Sequence, residues 1–394
     1  MLVPSFFHFL EAKPLYYKEI DHQRVHRAYV ALKEQIDHPR MIHIVGTNGK
    51  GSTGRIIAHL AYRSGLKTGH FSSPHILKFN ERIWLNGKDS SDEVLESAHR
   101  RLYLILGSVQ SEALSYFEYT TLLALVVFEK LDLMILEAGL GGEFDATNVC
   151  DKVLSVITPI GIDHQAFLGD TIEEIASTKI RSIQKQALIA AQPHPQVLSI
   201  AQKIAEKKGA KLFLSISGEK VNDKGELEQI AKEKGWPEYL VENASVALQA
   251  LDLLDIRYDI SDLKSLELFG RFYPLTDNIR IDVGHNPLAA KAIVSALKEK
   301  VVLIYNSLDD KDYEDVLRIL KSKVKRVEII SIESQRAATK EAIEKALQCV
   351  GLPYGNFDGK IDNDESYLVF GSFYAVEAFI KQREELKKRG YVPE

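Results

Sequence analysis

Cysteine is almost missing from this 394-residue chain. Cys150 and Cys349 can form no disulfide framework and lack the spacing of a structural metal site, which fits a reducing cytosol. Long hydrophobic runs are missing too. The longest, Leu122 to Phe128, falls far short of the roughly 20 apolar residues that span a bilayer. There is no surplus of positive charge: the net charge is −5, so no bulk attraction to nucleic acid or an anionic membrane is expected. The N-terminal Met1 to Leu10 lacks a basic stretch and a small-residue cleavage site, so no secretory signal is expected. Internal repeats and low-complexity tracts are likewise missing. These absences leave a cytoplasmic globular protein without nucleic-acid or membrane partners, long enough for two or three domains.

What is present reads as α/β from end to end. Unbroken apolar runs predict strands at Met41–Val45, Leu131–Leu136, Val153–Thr158, Leu188–Ala191, Ile279–Val283, Val301–Tyr305, Val327–Ile330 and Tyr367–Phe370. Runs of this kind suit parallel strands covered on both faces. Amphipathic stretches between them, such as Arg55–Arg63, Phe117–Lys130, Ala289–Lys300 and Ala375–Lys388, predict helices, and the alternation argues for doubly wound sheets. A boundary is expected near residues 260–270. It divides a larger nucleotide-binding domain, 1–265, from a smaller α/β domain, 266–394, with a cleft between them.

The segment Ile42-His43-Ile44-Val45-Gly46-Thr47-Asn48-Gly49-Lys50-Gly51-Ser52-Thr53 runs from an apolar strand through a glycine-rich turn into a helix. Glycines let backbone amides face an anion, the helix N-terminus adds its dipole, and Lys50 adds a full charge. Ser52 or Thr53 is expected to cap the helix. The usual phosphate-loop pattern places a glycine five residues before the Gly-Lys pair. Here that position is Ile44, and Gly51 follows the lysine, so this is a variant loop that still points to ATP.

Ligands of open α/β sheets bind beyond the C-terminal strand ends. Three further groups lie at such ends: Glu137 through Gly142, Gly161-Ile162-Asp163-His164, and Asp282 through Pro287. Glu137, at a glycine-rich turn, is placed to hold Mg²⁺. His164 is a weaker metal candidate, because Mg²⁺ prefers oxygen. Ser72-Ser73-Pro74-His75 reads by itself as a turn with a helix cap, and Asn80-Glu81-Arg82-Ile83 as a solvated charged strand. Lys179, on an expected helix from Ile172 to Ile183, reads by itself as a surface lysine. The residues alone therefore describe an α/β enzyme that uses ATP and Mg²⁺.

The motifs together resemble the folylpolyglutamate synthase/dihydrofolate synthase family, the folate branch of the Mur-type amide ligases. The resemblance is carried in order by Gly46–Ser52, Ser73-Pro74-His75, Asn80–Ile83, Glu137–Gly142, Asp145-Ala146-Thr147-Asn148, Asp163-His164-Gln165 and Leu168–Thr171. It continues through Gly270-Arg271-Phe272, Asp282 with His285-Asn286-Pro287, Asp310-Lys311-Asp312-Tyr313 and Gly371–Tyr374. It implies a P-loop ATPase-like N-terminal domain, a Rossmann-like C-terminal domain, and ATP-dependent joining of L-glutamate to dihydropteroate or a reduced folate by a monomeric enzyme. It also implies Mg²⁺ on Ser73, Glu137 and His164, a carbamate on Lys179, and allows a monovalent cation. Nucleotide contacts would come from Asn48, Gly49, Lys50, Gly51, Ser52, Asn243, Arg271 and Asp282. His285 would close the site, with Lys50 and Lys179, as a residue of catalysis. Arg82, Phe144, Asp145 and Ala146 would meet the pterin substrate.

Three departures accompany the match. Glu143-Phe144 stands where a basic and then an aliphatic residue are usual. Lys179 sits in Ser177-Thr178-Lys179-Ile180-Arg181 rather than Glu-Lys-Ala-Gly, and Tyr305-Asn306-Ser307 replaces a small-residue start. Two alternatives stand beside the folate reading: a peptidoglycan-type Mur ligase with a UDP-linked substrate, and a non-catalytic nucleotide-binding protein on the same fold.

Overall fold

The structure is a computed structural model and describes residues 3–14, 21, 23–215 and 224–388. The chain divides into two compact units. The first holds Met1–Gly161, Leu168–Ile230 and Glu242–Leu266, and the second holds Ile162–Phe167, Ala231–Val241 and Glu267–Glu394.

The first unit is built on an eight-stranded sheet. In chain order its strands are β1 (Arg40–Val45), β2 (Thr68–Phe71), β3 (Ile83–Leu85), β4 (Lys88–Asp89), β5 (Leu133–Glu137), β6 (Leu154–Ile157), β7 (Gln186–Ile189) and β8 (Lys211–Leu214). Their spatial order is β4-β3-β2-β5-β1-β6-β7-β8. β1 lies parallel between β5 and β6, with Ile44 level with Glu137 and Val45 level with Ile157. That register brings the Gly46 turn and Glu137 together at the C-terminal end of the parallel strands. β3 and β4 run antiparallel and close the far side.

The central strands form because their apolar residues are covered on both faces. Ile42, Ile44, Ile135, Leu136, Val156 and Ile157 are buried. Each such side chain contributes roughly 1.5–3 kcal/mol on leaving water. Helix α1 (Lys50–Arg63) covers the sheet through buried Ile56, Ile57, Leu60 and Ala61. It comes close because Gly54 has no side chain: a Cβ there would fall 2.5 Å from His70 Nε2. Helix α2 (Asp92–Ala113) and helix α3 (Tyr116–Phe128) add a second apolar layer with the N-terminal residues Phe6, Phe9 and Leu10. Helix α4 (Ile172–Ile180) starts with a capping box, in which Thr171 and Glu174 each accept the other's backbone N–H. It buries Ile172, Ile175, Ala176, Lys179 and Ile180.

The second unit holds a six-stranded sheet, in the order β13-β12-β11-β14-β10-β9. These are β9 (Tyr273–Pro274), β10 (Ile279–Ile281), β11 (Val301–Tyr305), β12 (Val324–Ile329), β13 (Tyr354–Asn356) and β14 (Tyr367–Phe370). Only the β9–β10 pairing is antiparallel among those described. Its core gathers Leu303, Tyr305, Val327, Leu347 and Phe370. Helix α5 (Glu238–Asp252) begins in the second unit and ends in the first, and helix α6 (Pro287–Ala296) follows β10.

Candidate active site

In the first unit the glycine-rich turn is a meeting point for charged side chains. Gly49 is the N-cap of α1 at φ +86°, in the left-handed region that favours glycine. The expected cap by Ser52 or Thr53 is not formed. Gly49 caps without a side chain, and both hydroxyl residues lie inside the first turns of the helix, buried. The physical reason is that Lys50 already takes helical geometry, so the cap moves one residue ahead of it. A Cβ on Gly49 would fall 2.6 Å from Asn243 Oδ1, so Asn243, on α5, lies directly against the loop. Asn48 and Thr47 direct their amides to the Pro159 carbonyl, at 3.2 and 2.9 Å, which ties the loop to the end of β6. Gly51 lies in the first turn of α1, where helix amides have no partner within the helix.

Two lysines converge on one carbonyl. Lys50 Nζ donates to Gly46 O at 3.3 Å and to Thr47 O at 3.1 Å. Lys179 Nζ donates to the same Gly46 O at 2.9 Å. Lys179 is only 4% exposed, which corrects its reading as a surface residue. Its position, four residues after Ile175 and three after Ala176, lies on the apolar stripe of α4, and helical spacing would have found it. Glu137 closes the group. It is the last residue of β5, 5% exposed, with its carboxylate 3.9 Å from Lys50 Nζ. A carboxylate this buried needs compensating charge, and Lys50 stands nearby.

The neighbouring segment, Gly139–Asn148, presents one side chain outward. Phe144 is 53% exposed, whereas Asp145 and Ala146 are buried. The Asp145 carboxylate faces its own loop, accepting from Leu140 N at 2.7 Å, Thr147 N at 3.0 Å and Thr147 Oγ1 at 2.6 Å. Burial pushes this acid upward and those donors pull it back. Glu143, the reversed charge in the motif, pairs with Arg181 at 3.2 Å.

The Asn80–Ile83 segment is not a solvated strand. Phe79–Arg82 is a short 3-10 helix, and the Glu81 carboxylate accepts the amides of Ile76, Leu77 and Lys78 at 2.8, 2.8 and 2.7 Å. Arg82 Nε donates to His75 Nδ1 at 2.8 Å, and its guanidinium lies 5.2 Å from the Tyr116 ring centroid. Ser73 is half-buried on the segment leading into this turn, with no helix directly after it to cap.

The second unit holds its own constellation. Asp163 forms a 2.7 Å ion pair with the buried Lys311 and accepts from Asn286 Nδ2 at 3.2 Å. His285 Nε2 lies 3.8 Å from the same carboxylate and His164 Nε2 4.0 Å. Burial raises the Asp163 pKa, but His285, His164 and Lys311 outweigh it and hold the carboxyl far below the usual range. His164 itself has φ +54°, uncommon for a non-glycine residue. Asp282 is also buried, accepting from Tyr239 OH at 2.8 Å, Phe272 N at 2.8 Å and Gly284 N at 2.7 Å. Arg271 stacks over Phe373, 5.4 Å from guanidinium to ring centroid. Lys311 and Tyr239 carry much of this order. The sequence shows Lys311 only as part of its motif and gives no sign of Tyr239, because neither hydrophobic period nor motif spacing shows a long-range partner.

Among the described residues, no group of three or more His, Cys, Asp or Glu stands ready to hold a metal ion. Nor is any helix among them long and apolar enough to cross a membrane.

No protein-family model matches the chain. Curated relatives do. The dihydrofolate synthase/folylpolyglutamate synthase of Haemophilus influenzae is 31% identical, over 89% of this chain and 91% of that protein. The Escherichia coli protein of the same name is 32% identical, over 86% and 85%. The chain belongs to the dihydrofolate synthase/folylpolyglutamate synthase family. Solved structures agree. Helicobacter pylori folylpolyglutamate synthetase is 40% identical with a TM-score of 0.77, covering 96% of this chain and 98% of that one. E. coli FolC in complex with DHPP and ADP is 28% identical with a TM-score of 0.82, over 98% and 99%. A bifunctional folylpolyglutamate synthase/dihydrofolate synthase with Mn, AMPPNP and L-glutamate bound is 25% identical with a TM-score of 0.80, over 99% and 100%. The two-sheet α/β architecture is thus that of the folylpolyglutamate synthase/dihydrofolate synthase ligases, and the chain is an ATP-dependent ligase of that family.

Proposed function

We propose that the chain joins L-glutamate to the carboxylate of dihydropteroate, of reduced folates or of both, through an acyl phosphate formed with ATP. The observation that carries this reading is the gathering of Lys50, Lys179, Glu137 and Asn243 around the Gly46–Lys50 turn.

A carboxylate does not accept an amine at neutral pH, because its oxygen is a poor leaving group. Transfer of the γ-phosphoryl group of ATP to that oxygen releases ADP and leaves an acyl phosphate. The glutamate amine attacks the carbonyl carbon and loses a proton, the tetrahedral intermediate collapses, and the C–O bond to phosphate breaks. Side chains have little covalent work in such a reaction, so positioning and charge compensation dominate. Lys50 exchanges its two loop carbonyls for phosphate oxygens and compensates their charge. The first-turn amides of α1, from Gly51 and Ser52, point to the same anion, while Asn48 and Gly49 shape the loop. Asn243 braces Gly49, and Arg271 supplies a second cation for the nucleotide. Asp282 holds the Gly270–Phe272 turn that carries Arg271. His285 is placed with Asp163 as the residue of the His-Asn-Pro turn.

The residues suit a hard divalent cation. Glu137 offers buried carboxylate oxygens next to a phosphate-binding turn, Ser73 a hydroxyl, and His164 the least matched donor, an imidazole. When bound, Mg²⁺ compensates charge on the phosphates and the developing acyl phosphate. A carbamate on Lys179, formed when its neutral amine adds to CO₂ and a proton leaves, would replace a cation by two oxygens that favour the metal. A monovalent cation would add to the same compensation. Phe144 is the exposed apolar surface for the pterin ring, with Ala146 and the Asp145-shaped loop beside it, and Arg82 is the cation proposed for the acidic end of the substrate. We take the enzyme to act as a cytoplasmic monomer.

The test is ADP release with ATP, Mg²⁺ and L-glutamate, comparing dihydropteroate, tetrahydrofolate and a UDP-muramoyl acceptor. Release with dihydropteroate or tetrahydrofolate supports the reading. Release with the UDP acceptor alone overturns it.

A further inference from the structure

We infer that Lys152, a buried lysine outside the ATP-binding turn, is a positioning residue that sets the presentation of Phe144 to the pterin substrate. The inference rests on the folate reading above for the identity of that substrate.

Lys152 is 3% exposed, deep in the first unit. An isolated ammonium there would be costly, yet its protons have defined acceptors. They are His43 Nδ1 at 3.3 Å, the Ser182 carbonyl at 3.0 Å, and Asn148 Oδ1 in close contact. Burial lowers its pKa to about 8, so it carries its charge at neutral pH.

Two of these contacts lead to the loop tip. The first runs through His43, a polar residue in the middle of the apolar strand β1. His43 Nε2 meets Thr147 Oγ1 at 2.8 Å, and Thr147 Oγ1 meets Asp145 Oδ1 at 2.6 Å. An ammonium can only donate and a carboxylate can only accept, so the ends fix the direction of the row. Lys152 donates to Nδ1, His43 donates from Nε2–H, and the Thr147 hydroxyl donates to Asp145. His43 is thereby neutral, and burial together with the Lys152 charge lowers its pKa well below the usual histidine value. The second route runs through Asn148, whose Nδ2 donates to the Glu143 carbonyl at 2.8 Å. The two routes end on Asp145 and Glu143, the residues on either side of Phe144. One buried charge therefore anchors both flanks of an exposed ring, and pre-organisation of this kind acts on substrate binding.

The experiment compares wild type with Lys152→Met, which keeps the length and removes the charge, and with Thr147→Val, which cuts one route. Amide hydrogen exchange of ligand-free protein is read over residues 139–148 and over 46–56, and KM is measured for dihydropteroate and for ATP. The expected result for Lys152→Met is exchange faster by about tenfold or more in 139–148 alone, the loss of roughly one charge-assisted hydrogen bond. The KM for dihydropteroate rises by a similar factor, the KM for ATP changes less than about twofold, and Thr147→Val gives a smaller change of the same pattern. In a Phe144→Ala background, Lys152→Met no longer raises the dihydropteroate KM. Unchanged exchange in 139–148 overturns the inference, as does an equal rise in both KM values or a full Lys152→Met effect without Phe144. If Lys152→Met does not fold, Thr147→Val decides by the same readouts. Absence of ADP release by wild type with dihydropteroate and with tetrahydrofolate is the failure of the functional reading instead, and the exchange arm then decides the role of the lysine by itself.

Discussion

At the level of single residues, the glycine-rich turn proposed to bind ATP is organised by one carbonyl and one glycine. Gly46 O accepts from both Lys50 and Lys179, which brings two lysine side chains to the turn. Lys50→Ala should lower the rate of ADP release by at least about a hundredfold, the cost of removing one donor aimed at developing charge. It should leave the far-UV circular dichroism unchanged; substantial residual activity would refute the phosphate role. Gly49 has φ +86° and no room for a Cβ beside Asn243. Gly49→Ala should therefore cost about 1–2 kcal/mol from the left-handed backbone alone, read by urea denaturation, with a higher KM for ATP. The motif residues were legible in the sequence because they are local: Gly46–Lys50 announces itself by glycine spacing. Lys152 and Lys311 were not, because their partners, His43 and Asp163, are remote in the chain. Lys179 reads by itself as a surface lysine, and only its place on the apolar stripe of α4 hints at its burial against Gly46 O.

At the level of strands and helices, burial on both faces decided what could be read. β11 and β14 are continuous apolar runs, β1 is apolar but for Arg40 and His43, and all three stand close to where the sequence predicts them. β2 is fully buried as well, yet its Thr68-Gly69-His70-Phe71 has no apolar run to betray it. β13, with every residue exposed, and the half-exposed β8 carry no alternation at all. Two of these central strands bury a histidine. Burial, with Lys152 beside His43 and Arg55 beside His70, lowers both pKa values well below 6.5. Below pH 6.5 the unfolded chain then binds more protons than the folded one, so stability is fully present above that pH and falls as pH drops. The limiting slope is about 1.4 kcal/mol per pH unit for each histidine. Urea midpoints from pH 7.5 to 5.5 should fall accordingly, and His70→Gln should flatten the curve; a curve unchanged by that substitution would contradict the assignment of the proton uptake.

At the level of the whole molecule, each unit carries its own sheet and its own buried core, and family membership follows from likeness along nearly the full chain. The reaction proposed for it requires a substrate carboxylate oxygen to leave with phosphate. Dihydropteroate labelled with ¹⁸O in its carboxylate tests this directly, with mass analysis of the phosphate released during ligation to L-glutamate. The account predicts one ¹⁸O in each phosphate, in step with a product heavier by one glutamyl group. Phosphate without the label, or ADP release with no ligated product, would contradict it.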